Sequence, residues 1–159
     1  MRVLTSVMLL SASCPPALAG DLQDANKAVA RSFFEDVLDQ GHLDRYADSH
    51  AADFVVHTAK ADLPLAADMA AAAEERKALP DMRVTVDRMV AEDDLVTVQW
   101  TASGTNTGDG MGFHASGAKI SIPGITIFRF KSGKISEEWG VFDMLAAYRQ
   151  AGLLQKAQQ

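Results

Sequence analysis

The chain has 159 residues, with 15 Lys and Arg against 21 Asp and Glu, which gives a net charge of −6 at pH 7. This acidic balance argues against nucleic acid and anionic membrane surfaces as partners, because both favour clustered basic side chains. The length is that of one typical domain, and a single cysteine leaves no pair for an intramolecular disulfide.

The N-terminus has the features of a cleavable secretory signal. Arg2 supplies the positive charge, a short apolar stretch spans residues 3–12, and the small-x-small sequence at 17–19 precedes Gly20. The apolar stretch is far shorter than the ~20 residues needed to span a bilayer, so we expect no stable membrane insertion.

These features predict a signal peptide at residues 1–19, cleavage after Ala19 and a mature domain at residues 20–159. The protein is then periplasmic or secreted. The alternative is a lipoprotein signal that uses Cys14, but Ser11 stands where such signals carry Leu.

Helices are predicted in the first half of the chain. Residues 21–40 place apolar side chains three to four positions apart, with Gly41 as the stop. A short second helix is expected at 43–50, followed by the apolar stretch 54–56. A third helix, rich in Ala and Glu, is expected at 64–78, because Pro80 ends it.

The second half of the chain alternates with the period of β-strands. Strands are predicted at 84–90, 95–105, 119–130 and 135–142, and a helix at 144–155 closes the chain. Helices followed by consecutive antiparallel strands indicate an α+β domain, in which helices pack on one face of a curved sheet. The open side of such a sheet is a natural mouth for a small-molecule pocket.

Asp143 is the first candidate for chemistry. Counting by two along the last predicted strand puts Trp139, Val141 and Asp143 in one phase, so if Trp139 and Val141 face the interior, Asp143 lies at the inner end of that face. A desolvated carboxylate has a raised pKa, as a general base for carbon acids requires. The alternative is that Asp143 caps the final helix.

The four histidines differ in how well they are placed to line a pocket. His42 and His50 lie in or beside short helices and are expected to be solvated, and His114 lies in a glycine-rich loop at 103–117, interpreted as a flexible hairpin tip or pocket lid. His57 follows an apolar stretch and is the histidine best placed for a pocket. Aromatic side chains are further candidates for the pocket wall, namely Tyr46, Trp100, Phe113 and Trp139.

Several kinds of site are not indicated by the sequence. No His-x-Glu-x-x-His, paired histidine or cysteine ligand set occurs, so no metal site is predicted. The glycine-rich loop lacks the Lys-Ser/Thr ending of a phosphate-binding loop, and neither a nucleophile elbow nor a dinucleotide fingerprint is present. We therefore expect no cofactor.

Many short segments together resemble the SnoaL-like polyketide (ester) cyclases. They include Asp53-Phe54-Val55-Val56-His57, Gly104-Thr105-Asn106-Thr107-Gly108 and Glu138-Trp139-Gly140-Val141-Phe142-Asp143, and in order they lie at 26–38, 41–44, 52–57, 79–84, 104–108, 127–130, 133–135, 138–143 and 150–153. The resemblance implies the cone-shaped α+β barrel of the nuclear transport factor 2-like superfamily, usually a homodimer.

The resemblance also implies roles for two residues. Asp143 matches the acid/base aspartate of the family, and His57 matches a histidine common at the pocket floor. In these cyclases the aspartate removes a proton flanked by carbonyls, and the enolate closes a ring without a cofactor. Asn106 departs from the pattern, because members often have His there.

Two functions of different classes follow. The first is an exported enzyme that performs acid/base chemistry on a small apolar carbonyl compound or ester, with Asp143 as base and His57 as helper. The second is a non-catalytic module that holds a small hydrophobic molecule in the same pocket. Because cyclases of this family work beside cytoplasmic synthases, the export signal favours a substrate different from theirs.

Overall fold

The computed structural model describes residues 17–112 and 114–154. Residues 1–16 of the predicted signal peptide, the candidate Phe113 and the end of the predicted last helix lie outside the described residues. Within this part of the chain, no helix combines the length and the apolar character needed to cross a membrane.

The predicted helices and strands are present, with shifted bounds. The α-helices are α1 (Ala17–Ser32), α2 (Leu65–Ala78) and α3 (Met144–Gln150), and a π-helix (Phe33–Asp39) and a 3-10 helix (Leu43–Ser49) follow α1. The strands are β1 (His50–His57), β2 (Asp62–Pro64), β3 (Arg83–Glu92), β4 (Leu95–Thr105), β5 (Lys119–Lys131) and β6 (Lys134–Phe142).

The strands form one six-stranded sheet in the order β2-β1-β6-β5-β4-β3. Strands β3 to β6 form the antiparallel meander that alternation predicts. Strand β1 lies parallel to β6 and was not identified as a strand from the sequence. This pairing brings the first long strand and the last strand side by side, and the architecture confirms the α+β fold class.

The core lies between the helices and one face of the sheet. From the π-helix, Phe33 and Phe34 pack against Phe128 of β5, with ring centroids 6.0 Å apart in both pairs. Phe128 and Ile135 are fully buried. The helices thus cover one end of the concave face, and the remaining concave surface encloses a cavity.

Candidate functional site

The concave face of the sheet holds a cavity of about 350 Å³, a size that accommodates a small organic molecule. Its wall is mostly apolar and aromatic, and it includes Phe33, Phe34, Trp100 and Phe142. Among the described lining residues there is no Lys or Arg. His57, at the edge of the cavity, is the described lining residue that can carry a positive charge, and Glu137 and Asp62 pair with it.

The π-helix shapes one side of the cavity. Phe33, Phe34 and Leu38 all lie on the cavity wall. A π-helix turns by a smaller angle per residue than an α-helix, so an α-helix over the same residues would point these side chains in other directions. Across the cavity, the indole of Trp100 lies 6.1 Å from the rings of both Phe34 and Phe142. The Trp100 Nε1–H donates to Thr126 Oγ1 at 3.0 Å, which fixes the indole.

Three carboxyl groups point into this apolar cavity, namely Asp68 and Glu75 of α2 and Glu138 of β6. Burial raises the pKa of Glu75 to about 7 and that of Glu138 to about 8, and the nearby carboxylates add to both increases. Burial also raises the pKa of Asp68, against the opposing effect of its hydrogen bond with Tyr46. The cavity thus combines apolar walls with concentrated acidic groups.

Tyr46 joins the 3-10 helix to this acidic cluster. Its hydroxyl donates to Asp68 Oδ2 at 2.6 Å, and its ring is buried. Burial, followed by the charge of Asp68, raises the pKa of the Tyr46 phenol well above its ordinary value, so the phenol keeps its proton as a donor.

His50 is buried beside the same carboxyl groups, with 5% of its surface exposed, so the prediction of a solvated histidine is wrong. Its Nδ1 lies 2.8 Å from the carbonyl oxygen of Tyr46, and because a carbonyl can only accept, Nδ1 carries the ring proton. Desolvation lowers the pKa of His50 to about 4, which keeps the ring neutral. Its Nε2 is buried and has no hydrogen-bond partner in the part of the chain that the structure describes.

His57 ends β1 at the edge of the cavity, and its imidazole lies on the outer face of the sheet with two carboxylate partners. Nδ1 lies 2.8 Å from Asp62 and Nε2 lies 2.9 Å from Glu137. The imidazole also stacks on the Trp139 ring at 4.6 Å. The hydrogen bond with Glu137 and then that with Asp62 raise the pKa of His57, because both favour the protonated ring.

Trp139 lies on the outer face of the sheet, so the predicted interior phase of β6 is wrong. Phe130 pairs with Ile135 but Arg129 pairs with Glu137, so one extra residue of β6, Ser136, forms a β-bulge. Beyond the bulge the phase is reversed, because a one-residue slip exchanges the two faces. Glu138, Gly140 and Phe142 therefore line the cavity, and Val141 is 77% exposed.

Asp143 caps α3, as the alternative interpretation states. Its Oδ1 accepts the backbone N–H of Ala146 at 2.8 Å, and the residue is exposed. Asp143 is not among the described residues that line the cavity. Tyr46 and Trp100 do line it, and His57 borders it, but the His57 imidazole lies with Trp139 on the outer face.

The sequence analysis missed the acidic residues of the cavity. Asp68 and Glu75 are seven positions apart, two helical turns, so they lie on one face of α2. That spacing was readable, but the face is otherwise built from small Ala side chains and lacks a clear apolar stripe. Glu138 was missed because the bulge at Ser136 reverses its direction.

The comparison with family models matches residues 28–151 to the SnoaL-like polyketide cyclases. The match covers most of the chain, and the chain belongs to this family. Its α+β fold with an aromatic cavity on the concave face of the sheet agrees with that membership. A comparison with curated proteins found no match.

Solved structures share the fold at low sequence identity. AclR of Streptomyces galilaeus, described as a proposed hydroxylase, is 23% identical with a TM-score of 0.79 over 86% of this chain and 87% of its own. TsrD of Streptomyces laurentii is 23% identical with a TM-score of 0.74, over 83% and 98%. A proposed SnoaL-like polyketide cyclase of Jannaschia sp. CCS1 is 19% identical with a TM-score of 0.76, over 91% and 100%.

Proposed function

We propose that this protein is an exported enzyme that performs acid/base chemistry on a small, mostly apolar carbonyl compound or ester. The observation that carries the proposal is the convergence of three carboxyl groups in an otherwise apolar cavity, with no Lys or Arg among its described lining residues. Such a cavity selects an uncharged substrate and provides carboxyl groups of raised pKa for proton transfer.

Glu75 is the carboxylate best suited to act as the base. Asp68 accepts a hydrogen bond from Tyr46, and Glu138 faces His50, whereas the contacts described here assign no hydrogen bond to the Glu75 carboxyl. A pKa of about 7 allows Glu75 to accept a proton near neutral pH and to release it again.

The proposed step is removal of a proton from the carbon next to the substrate carbonyl. The C–H bond breaks, its electron pair moves into the carbonyl group as an enolate, and the proton passes to the Glu75 carboxylate. The enolate carbon then either takes the proton back from Glu75 or attacks a second carbonyl in the same molecule, and the alkoxide formed by that attack takes the proton from Glu75. The aromatic walls hold the substrate in a reactive geometry, an effect that contributes much of the rate in such reactions.

Deuterium exchange into phenylacetone, followed by proton NMR in D₂O, tests this proposal with a simple carbon acid. We expect the protein to accelerate exchange at the carbons beside the carbonyl, and Glu75→Gln to lower the rate by about 10²–10⁴-fold. The rate should rise with pH through about 7, because the base acts when deprotonated.

Asp143→Asn is the matched comparison, because Asn is as good a helix cap as Asp and α3 should stay intact. Exchange unchanged in Asp143→Asn supports Glu75 as the base. Exchange lost in Asp143→Asn and kept in Glu75→Gln would instead establish Asp143, with His57 as helper.

A non-catalytic binding module is the second candidate, and the aromatic wall of the cavity favours it. Phenylacetone that binds in titration calorimetry but exchanges no faster than in buffer would support binding without catalysis.

Export is tested separately by N-terminal sequencing of protein recovered from periplasm or medium. We expect the mature chain to begin at Gly20, and an N-terminus at Met1 would contradict the proposed export.

A further inference from the structure

Three side chains converge at one end of the cavity, and each offers an atom that can bind a metal ion, the carboxyl groups once they have lost their protons. A ring nitrogen of His50 and one carboxylate oxygen each from Asp68 and Glu138 lie within 4.8 Å of one another. The three residues come from β1, α2 and β6. Asp68 and Glu138 also line the cavity, so one side of the cluster is open to a ligand.

His50 has the arrangement of a metal-binding histidine. Metal ligands of this type donate the other ring N–H to a carbonyl or carboxylate, which fixes the ring and its tautomer. In His50 that donor is Nδ1–H to the Tyr46 carbonyl, at 2.8 Å. The remaining nitrogen, Nε2, carries a buried lone pair and has no hydrogen-bond partner among the described residues, and His50 as a residue is 5% exposed.

Asp68 is oriented in the same way. The Tyr46 hydroxyl donates to Asp68 Oδ2 at 2.6 Å, which holds the carboxylate and leaves Oδ1 for another partner. Tyr46 thus supports both groups, through its backbone carbonyl to His50 and through its hydroxyl to Asp68. Its ring also stacks on the His50 imidazole, with centroids 5.0 Å apart.

We propose that His50, Asp68 and Glu138 bind one divalent transition-metal ion, with its open positions facing the cavity. One imidazole nitrogen and two carboxylate oxygens suit Zn²⁺ or Mn²⁺. Zn²⁺ bonds of about 2.0–2.2 Å require ligand atoms roughly 3–4 Å apart, which small side-chain adjustments provide. The ion supplies positive charge to this cluster and displaces the proton from the Glu138 carboxyl when it binds.

This proposal goes beyond the proposed function, because binding of an ion is measured without substrate. The test uses purified, untagged protein stripped with a chelator and titrated with ZnCl₂ or MnCl₂ in a calorimeter. Bound metal is then counted by mass spectrometry after dialysis. We expect one ion per chain, and MgCl₂ to bind more weakly because it favours all-oxygen sites.

Variants locate the site. Tyr46→Phe removes only the supporting hydroxyl and should weaken binding by about 10–100-fold. His50→Gln and Glu138→Gln remove ligands and should weaken it by more. The control is His114→Ala, which removes an exposed histidine outside the cluster and should leave the affinity unchanged. Circular dichroism checks that each variant is folded.

The visible absorption of bound Co²⁺ gives a second measurement, which reports on the ligands of the ion rather than on the folding of the variant. Co²⁺ in place of the native ion should produce a visible absorption band in the wild type that changes in Glu138→Gln. The proposal is overturned if no ion binds at millimolar concentration. It is equally overturned if binding survives in both His50→Gln and Glu138→Gln. If the wild type binds no ion but still accelerates phenylacetone exchange, the metal proposal is wrong and the proposed function stands.

Discussion

At the scale of single residues, the chemistry of this cavity depends on which side chains donate hydrogen bonds and which accept them. Tyr46 has a protonated hydroxyl and a backbone carbonyl, and both are used to orient acidic or basic neighbours. Asp68, Glu75 and Glu138 provide oxygens in an apolar setting, where a charge interacts far more strongly than in water. The residues that matter are therefore the buried polar ones.

His57 gives a pH prediction at this scale. Its pKa is raised by Glu137 and Asp62, so the folded state binds the proton more tightly than the unfolded state. The stabilisation is complete below the unfolded pKa of about 6.5 and is lost as pH rises through the folded pKa. The difference in free energy of unfolding between wild type and His57→Gln, from urea titrations, should shrink from pH 5.5 to 9.

The NMR titration of the His57 ring provides the direct check. A pKa above 6.5 is expected in the wild type, and Glu137→Gln should lower it because the stronger of the two hydrogen bonds to the ring is weakened. A wild-type pKa at or below 6.5 would contradict the ion-pair geometry of this residue.

At the scale of elements, two β-bulges decide which side chains face the cavity. In β6 the extra residue is Ser136, and in β3 it is Asp87, since Val86 pairs with Trp100 but Arg88 with Gln99. Past Asp87 the inward side chains are Met89 and Ala91, and Val90 is 61% exposed. Uninterrupted alternation therefore identifies the strands correctly but assigns part of each to the wrong face.

The glycine-rich loop between β4 and β5 is anchored at its base by Asn106. This side chain is fully buried, and its amide donates to the carbonyls of Ala78 and Gly108 at 3.2 and 2.9 Å. Its Oδ1 accepts both the N–H and the hydroxyl of Ser116, at 3.1 and 2.8 Å. A position that departs from the family pattern thus has a structural role, tying the loop to the end of α2.

Asn106→Ala tests that role. Loss of four hydrogen bonds, with the Ala78 carbonyl left buried, should lower the free energy of unfolding by about 2–4 kcal/mol in urea titrations. Thr107→Ala is the control, because Thr107 is exposed and its change should stay within about 0.5 kcal/mol. Equal stability of the two variants would show that the buried network contributes little.

At the scale of the whole molecule, the outer face of the sheet carries an apolar patch. Ile125 pairs with Val141 and Ile127 with Trp139 across β5 and β6, so the four side chains share that face. Val141 is 77% and Ile125 48% exposed. Exposed apolar patches of this kind are candidate association surfaces, and we propose that this patch forms the contact of the homodimer that the family resemblance implies.

Sedimentation velocity tests the homodimer. The wild type should sediment as a dimer at micromolar concentration, and Val141→Glu should shift it to the monomer by placing a charge in the contact. Leu22→Glu, at an exposed leucine of α1, is the matched control and should remain dimeric. A wild-type monomer at every concentration would refute the association.

The sequence by itself determined the α+β class, the four long strands and most of the helices. Those features follow from local periodicity and from glycine and proline stops, which act over a few residues. It also placed Tyr46, Trp100 and His57 among the cavity candidates, and the structure has Tyr46 and Trp100 on the cavity wall and His57 at its edge.

Only the tertiary structure decided which polar groups meet. Strand β1 pairs with β6 across 80 residues of chain, the distance from His57 to Glu137, and this pairing brings His50 close to Glu138. The bulge at Ser136 then turns Glu138 inward. Neither effect has a local periodic signal, because long-range pairing and register shifts depend on the packing of distant elements. Asp143 could therefore be read as cap or base, and its contact with Ala146 identifies the cap.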